Sequence, residues 1–148
     1  MDIIRRNTDY ALRAVAELAG QFRRELVSTK EIADRRDIPY QLACKLLQRL
    51  HKAGVVRSEM GPAGGFALRR HPSKTTVRQV VEAIQGPVRL NRCLFAKNFC
   101  RFLPRCAISP ELARLQERIN AFLDGLTLQR LSAATGRAVK KKHKGSKK

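Results

Sequence analysis

The sequence predicts a mainly helical fold with one small β hairpin, and three observations support this. Apolar residues recur at helical spacing in most stretches between residues 7 and 133. A single β-prone stretch surrounds a glycine-rich turn. With 148 residues, 43% of them apolar, the chain can bury a real core without disulfides. We therefore expect one small domain with an additional helical arm.

The first helix is predicted over residues 7–22, where apolar residues follow a helical period. Asn7 or Thr8 is expected to cap it, because both side chains can accept hydrogen bonds from free amides of the first turn. Asp9 falls in that turn, where the helix dipole favours a carboxylate. The residues alone thus give Asp9 a helix-start role.

The second and third helices form the most informative stretch. Ser28 or Thr29, followed by Glu31, predicts a capping box at the start of a short helix. Pro39 is well placed to begin a longer helix, which Gly54 ends. A short helix, a tight turn and a longer helix are the helix-turn-helix pattern, whose second helix reads DNA.

On the third helix, two faces separate at 100° per residue. The core face carries only apolar residues: Ala43, Leu46, Leu47 and Leu50. The opposite face carries glutamines and lysines, which can bond base edges or phosphates. Cys44 lies beside the core stripe and is expected to be a small buried or half-buried residue rather than a ligand. A solvated charged face on an ordinary helix pair is the alternative.

Residues 55–69 predict a hairpin, with strands near 55–58 and 66–69 and the tip GPAGG between them. A hairpin directly after a recognition helix is a wing, which can touch phosphate or enter the minor groove. The loop lacks both nucleotide-binding glycine patterns. These helices and the wing together predict a winged helix-turn-helix. The predicted DNA contacts are Thr29, Tyr40, Gln41, Lys45, Gln48, Arg49, Lys52, Arg57, Gly64, Gly65 and Arg69.

Charge agrees with a DNA partner, since 31 Lys and Arg against 12 Asp and Glu give +19. A highly soluble or ribosomal basic protein is the alternative.

No apolar run reaches the ~20 residues that span a membrane, and no signal-peptide core is present, so a cytoplasmic protein with reduced thiols is expected. No nucleophile–base pair is recognisable among the three histidines, which argues against an enzyme.

Beyond the wing, residues 75–86 predict another amphipathic helix, and Ser109 is expected to cap a long one. Its apolar stripe is longer than one small domain can cover, which predicts a dimerisation helix. The predicted organisation is a DNA-binding domain over 1–86, a cysteine segment over 87–108, a dimerisation helix with a short final helix over 109–133, and a basic disordered tail over 134–148.

The cysteine segment holds three of the four cysteines, Cys93, Cys100 and Cys106, and no acidic residue. Thiolates among cations are reactive or metal-bound more often than inert. The spacing of six and five intervening residues is too wide for a zinc knuckle. Three thiolates can hold three irons of a cubane cluster and leave one site for another ligand. A zinc site and a cluster-free thiol sensor stay open.

The chain resembles the Rrf-two (Rrf2) family of bacterial winged-helix regulators, which includes the IscR, NsrR and RirA types. The resemblance rests on IPYQLACKLLQRLHKAGVVRSEMGPAGGFAL, then VRQVVEAIQGP and the three spaced cysteines, and covers roughly residues 1–131. It implies a homodimer on a partly palindromic operator. It also implies an iron–sulfur cluster on the three cysteines, through which relatives sense nitric oxide, redox stress or iron supply.

Two departures refine these expectations. IscR-type relatives have a histidine ligand where this chain has Ser109, so the resemblance favours a four-iron over a two-iron cluster. NsrR-type relatives use an aspartate near the start of the first helix, reached across the dimer, and their local pattern matches Thr8 and Asp9. Asp9 of the other subunit is therefore the expected fourth ligand.

In the wing, Met60 replaces an arginine common in relatives. The expected function is a cluster-dependent regulator, and a repressor, with a thiol-based or constitutive DNA-binding protein as the alternative.

Overall fold

The structure is a computed structural model that describes residues 2–22, 26–96 and 99–134. The mainly helical fold with a small wing is confirmed. Residues 128–134 add a short helical segment, and three short 3-10 turns lie between the longer elements. The regular elements are α1 (Arg6–Gly20), α2 (Thr29–Arg36), α3 (Tyr40–Lys52), β1 (Val56–Glu59), β2 (Gly65–Leu68), α4 (Val77–Gln85) and α5 (Ser109–Gly125).

The turn between α2 and α3 follows from local sequence chemistry. The Ser28 hydroxyl accepts from the Glu31 amide, and the Glu31 carboxylate accepts from the Ser28 amide, which completes the expected capping box. Asp37 ends α2 in the left-handed region at φ 51°, a conformation that aspartate tolerates better than most residues. Pro39 then stands at the N-cap of α3. The capping box thus fixes the start of α2, and Asp37 and Pro39 define the short turn that leads into α3.

The core lies where α1, α3 and α4 meet. Its fully buried side chains include one apolar face from each helix, and burial of each large one contributes about 1.5–3 kcal/mol. The wing packs against this core through Val56 and Leu68, which face each other in the antiparallel β1–β2 pair. The central side chains are Val15, Leu18, Leu46, Leu47, Leu50, Val80 and Val81.

Two helix starts differ from expectation by their caps. Arg5, not Asn7 or Thr8, is the N-cap of α1, and no side chain caps that helix. The Thr8 hydroxyl is buried and donates to the Gln85 side-chain oxygen at 2.6 Å, so it is committed to α4. Ser109 is the first residue of α5, one position after its N-cap.

The apolar stripe of α5 is divided between two surroundings. Leu123 is buried against the core, and Ile119 packs beside it. Leu115 and Phe122 lie 47% and 69% exposed. Part of the stripe is therefore exposed, as is expected of a helix whose other side packs against a partner.

The structure also bears on the expected absence of a membrane span and on the basic tail. Among the described residues, no helix is both long and apolar enough to cross a membrane. The basic tail expected over 134–148 lies outside the described residues from 135 onward.

Candidate DNA interface and cysteine segment

The outer face of α3 carries a continuous polar surface. Its core residues are buried, and the predicted contacts Gln41, Lys45 and Gln48 are exposed on the other side. Arg49 and Lys52 are exposed at its carboxyl end. A helix presenting amide and ammonium donors along one face can form the base-edge and phosphate contacts of a recognition helix.

A cavity of about 510 Å³ separates α3 from the wing. Thr29, at the first position of α2, lines it together with Tyr40 at the tip of α3. Across the gap, Gly64 and Gly65 of the wing line the same cavity. With Gln48 and Lys52, which also line it, the structure places six predicted DNA contacts around one opening beside the reading face.

Tyr40 is held by its neighbour one helical turn later. A hydrogen bond with the Cys44 thiol raises the pKa of the Tyr40 phenol above its ordinary value. A phenol is protonated at physiological pH even at its ordinary pKa, so the Tyr40 hydroxyl is a hydrogen-bond donor there. Cys44 is half-buried, as expected from its place beside the core stripe.

The wing cations have different surroundings. Arg57 pairs with Glu59 on the same strand, which offsets part of its charge. Arg69 is exposed after β2, and its guanidinium lies beside Gly54. Met60, at the tip, is fully exposed. The tip itself is therefore apolar, and the wing cations lie on β1, at Arg57, and just after β2, at Arg69.

Gly64 and Gly65 are required by packing as well as by their place in the cavity. A Cβ on Gly65 would lie 2.5 Å from the carbonyl oxygen of Val27, and one on Gly64 would collide with the carbonyl of Glu59. This close approach lets Phe66 exchange two backbone hydrogen bonds with Val27, directly before α2. The wing is consequently fixed to the helix-turn-helix.

We expect Gly65→Ala to loosen the wing and to destabilise the fold by about 1–3 kcal/mol, since rigid backbone atoms occupy the space of the new methyl group. Thermal unfolding measures this. Gly20→Ala is the matched control, because a Cβ at Gly20 meets nothing within 4 Å and sits at a helix end. Equal melting temperatures for the two variants would contradict the packing role.

One cysteine of the segment 87–108 lies within a 3-10 turn, and the other two lie before and after a second turn. Cys93 lies in the 3-10 turn Arg92–Leu94, Cys100 precedes the turn Leu103–Arg105, and Cys106 follows it. All three are free and half-buried. Within the described residues, no three His, Cys, Asp or Glu side chains lie together as a metal-binding group.

Arginines lie against the phenylalanines of this segment. The guanidinium carbon of Arg89 lies 5.0 Å from the ring centroid of Phe95, and that of Arg101 lies 5.5 Å from Phe102. Such contacts contribute about 0.5–1 kcal/mol at exposed sites. The phenylalanine residues are nevertheless 45–65% exposed, so their rings do not shield the thiols from water in this structure.

Gln116 connects the start of the cysteine segment to α5. Its side chain is buried, donates to the Val88 carbonyl at 2.9 Å and accepts from the Leu90 amide at 2.9 Å. These bonds replace backbone pairing for a segment that lacks regular structure. The position of the residues before Cys93 therefore follows that of α5.

Asp9 lies in the first turn of α1 and forms a salt bridge with Arg13 at 2.6 Å. Both side chains are about half exposed, so the carboxylate remains accessible from outside the subunit. The start of this helix is held by Gln85, which accepts from the Arg5 amide and the Thr8 hydroxyl. Gln85 directly precedes the Gly86-Pro87 junction that leads into the cysteine segment.

Glu17 joins α1 to the helix-turn-helix. Its buried carboxylate lies 3.1 Å from the Arg35 guanidinium and 2.6 Å from that of Arg36, both at the end of α2. Burial disfavours its charge, but the hydrogen bond from Gln21 and the two arginines outweigh burial and lower the pKa of Glu17. The carboxylate is ionised at neutral pH.

Three residues that join separate elements were not predicted from the sequence: Glu17, Gln85 and Gln116. Glu17 lies in sequence between Val15 and Leu18, on the buried side of α1. An acidic residue on a buried helix face indicates a buried charged partner, so the sequence could have identified Glu17. The two glutamines carry no comparable signal, because their partners are 77 and 28 residues away in sequence.

Comparisons with known proteins agree with this architecture. The HTH-type transcriptional regulator IscR of Aliivibrio salmonicida is 32% identical over 122 residues, covering 82% of this chain and 72% of that protein. Two solved structures share the fold. The global cysteine regulator CymR of B. subtilis has a TM-score of 0.75 at 24% identity, covering 90% of this chain and 98% of its own. IscR of T. potens has 0.69 at 25%, covering 88% and 87%.

Residues 4–134 match the Rrf2 family, described as iron-dependent transcriptional regulators. This match spans the helix-turn-helix, the wing, the cysteine segment and α5. The relatives are named as transcriptional regulators, which are not enzymes. On its sequence and its fold, the chain belongs to the Rrf2 family of DNA-binding transcriptional regulators.

Proposed function

We propose that the chain is a homodimeric repressor whose affinity for a partly palindromic operator depends on an iron–sulfur cluster held by Cys93, Cys100 and Cys106. The observation that carries this proposal is the cysteine segment. It presents three free, half-buried thiols among arginines, and Gln116 anchors it to α5. The relatives named IscR and the family description as iron-dependent support it.

The donor set suits iron–sulfur chemistry. Thiolates are the usual cluster ligands, and nearby guanidinium groups offset the negative charge of thiolates and cluster. When bound, such a cluster supplies a group that nitric oxide, oxidants or iron shortage can alter. The described residues of one subunit do not bring three ligands together, so the loop must close further as the thiols engage.

Asp9 is the proposed fourth ligand, contributed by the other subunit, and a four-iron cluster is favoured over a two-iron one. Its carboxylate is half exposed and paired only within α1, to Arg13. An exposed pair of this kind contributes about 0–1 kcal/mol, so breaking it to free the carboxylate costs little. The exposed part of the α5 stripe, at Leu115 and Phe122, supplies the apolar surface for the proposed dimer.

The proposed signal passes from α1 to DNA through side chains of this chain. Asp9 lies on α1, and Glu17 on the same helix holds Arg35 and Arg36 of α2. A ligand engaged at Asp9 would fix α1, and α1 would fix the helix-turn-helix of its subunit. Release of that ligand would free the helix, and the two recognition helices would lose the spacing that the operator requires.

A cluster-free thiol regulator is the second candidate, since no three ligands group within the described residues of one chain. In that case the three cysteines respond to oxidants directly. Colour separates the two candidates. Anaerobically purified protein that is brown, with iron and sulfide in stoichiometric amounts, supports the cluster, whereas colourless protein that cannot be reconstituted supports the thiol regulator.

Operator affinity before and after removal of iron tests the function. We expect chelation to weaken binding to a duplex selected from a random library by about 5- to 150-fold, the usual range of coupling between two sites. Asp9→Ala should behave like the chelated protein. Fluorescence anisotropy under anaerobic conditions measures both. Equal affinity with and without iron would refute the proposed switch.

Arg13→Ala is the control for Asp9→Ala. It breaks the same salt bridge but leaves the carboxylate in place. If Asp9 acts only at the start of the helix, the two variants will show the same visible absorption spectrum and operator affinity. If Asp9 binds iron, only its own replacement will change the spectrum.

A further inference from the structure

A second cavity, of about 590 Å³, lies on the side of α3 away from the wing. Three elements line it: the start of α1, the carboxyl end of α3 and the end of α4. Its charged lining residues are Arg5, Arg6 and Arg49, and no acidic residue lines it. The cavity is therefore a concentration of positive charge built from parts distant in sequence.

Two of these cations are available for a ligand. Within the part of the chain that the structure describes, neither Arg5 nor Arg49 forms a salt bridge. Arg6 donates a hydrogen bond to the Tyr10 hydroxyl and lies over the Tyr10 ring. These contacts do not neutralise the charge of Arg6. Asp9, the acid closest in sequence, is bound to Arg13 instead.

The walls of the cavity are held in place by hydrogen bonds. The Gln85 side chain accepts from the Arg5 amide at 3.0 Å and donates to the Ile3 carbonyl at 2.9 Å. Its oxygen is therefore occupied and does not oppose an incoming anion. The positive end of the α1 dipole adds to the field of the arginines.

The cavity lies beside the DNA-reading face of α3. At 100° per residue, Arg49 is about 40° around the helix from Lys45, between the exposed stripe and the core. Tyr40 and His51 lie on the opposite flank and line the cavity at the wing. The reading face thus runs between two openings, one at the wing and one lined by arginines.

A helix in the major groove has a phosphate strand on each side, because the groove is only about 12 Å wide. With α3 in the groove, the wing opening would face one strand and the arginine-lined cavity the other. We propose that this cavity, with Arg5 and Arg49, is a binding site for a backbone phosphate of duplex DNA. The inference rests on the proposed DNA-reading role of α3 and extends the footprint to the start of α1.

The salt dependence of binding tests the site. Each phosphate contact contributes about 0.9 to the slope of log affinity against log salt concentration. We expect Arg5→Gln and Arg49→Gln each to reduce that slope by about this amount. Phosphate contacts carry no sequence information, so affinity should fall by the same factor for the selected duplex and for a scrambled duplex of equal length.

Two matched variants separate charge from structure. Arg49→Lys keeps the charge and should keep the slope. Arg130→Gln removes an exposed arginine near Thr127, which pairs with Thr76 at the far end of α4, and should leave the slope unchanged. Thermal unfolding of each variant verifies that these surface changes alter stability by less than about 0.5 kcal/mol.

Two results would overturn the proposal. In the first, Arg5→Gln and Arg49→Gln have the salt slope of Arg130→Gln. In the second, inorganic phosphate raises the melting temperature of the wild type but not of these variants, while their DNA affinity is unchanged; the cavity would then hold a small anion. Failure of the cluster switch is distinguishable, because the slopes are compared between proteins purified in the same way, with or without iron, and do not depend on the response to chelation.

Discussion

Replacing Cys93, Cys100 or Cys106 with alanine is expected to remove the bound iron and to lower operator affinity by about 5- to 150-fold, to the level of chelated protein. In the proposed site each of these residues supplies one of three thiolate ligands, so each replacement should release the cluster. Iron content and anisotropy titration with the selected duplex measure the two effects. The loss of affinity should follow the loss of iron.

The three variants should also resemble one another. Residues that act as a unit show non-additive effects, so a variant lacking all three cysteines should bind DNA no more weakly than each single variant. Cys44→Ala is the control for a generic thiol effect, since Cys44 lies on α3 and is outside the segment. It should retain iron and the ratio of affinities with and without iron.

Other outcomes would identify the alternatives. Under a thiol mechanism, the single variants keep the affinity of reduced protein and lose only the response to oxidant. Under a zinc site, the wild type is colourless and the variants lose zinc. Retention of iron by all three single variants would contradict the proposed ligands.

Much of the fold could be predicted because its determinants are local. The capping box of Ser28 and Glu31 spans three residues, and Pro39 and Gly54 mark the ends of α3 directly. Core periodicity placed α4 to within two residues of its observed bounds. Each of these signals is contained within one helix or its immediate flank.

Long-range hydrogen bonds account for what the sequence did not predict. Thr8 has the right chemistry for a cap, but its hydroxyl is used by Gln85, 77 residues away. The anchoring of the cysteine segment by Gln116 and the arginine-lined cavity are likewise assembled only when separate elements meet. The charges were visible in the sequence, whereas their shared location was not.

The candidate DNA interface was predicted more completely than the candidate metal site. The polar face of α3 follows from helical geometry alone, so Gln41, Lys45 and Gln48 could be assigned to it. A metal site formed by a loop and a second subunit depends on closure of the loop and on dimer geometry. Neither of these is encoded by residue spacing.

Glu17→Gln is expected to lower the free energy of unfolding by about 1–3 kcal/mol near neutral pH. The amide keeps the shape of the side chain but removes the charge that Arg35 and Arg36 share. Those arginines are 46% and 22% exposed, so water offsets part of the loss. Glu82→Gln, in the more exposed pair with Arg78 on α4, should cost only about 0.5 kcal/mol.

The lowered pKa of Glu17 determines how the stability loss in Glu17→Gln changes with pH. The folded-state pKa of Glu17 is lowered below its ordinary value of 4.5, so the carboxylate stabilises the fold at pH values above that value. The contribution is lost as the pH falls through the lowered folded-state pKa. The stability difference between wild type and Glu17→Gln should therefore be constant near neutral pH and shrink below about pH 4.5. Urea unfolding at several pH values measures it.

The same variant tests whether the Glu17 contacts transmit the signal. If α1 reaches the helix-turn-helix through Arg35 and Arg36, Glu17→Gln will bind iron normally, and the ratio of operator affinities with and without iron will approach one. Glu82→Gln should keep the wild-type ratio. A Glu17→Gln protein that is less stable but keeps that ratio would give the pair only a structural role. Coupling would then have to pass through other contacts of α1, such as those of Arg5 and Thr8 with Gln85 of α4.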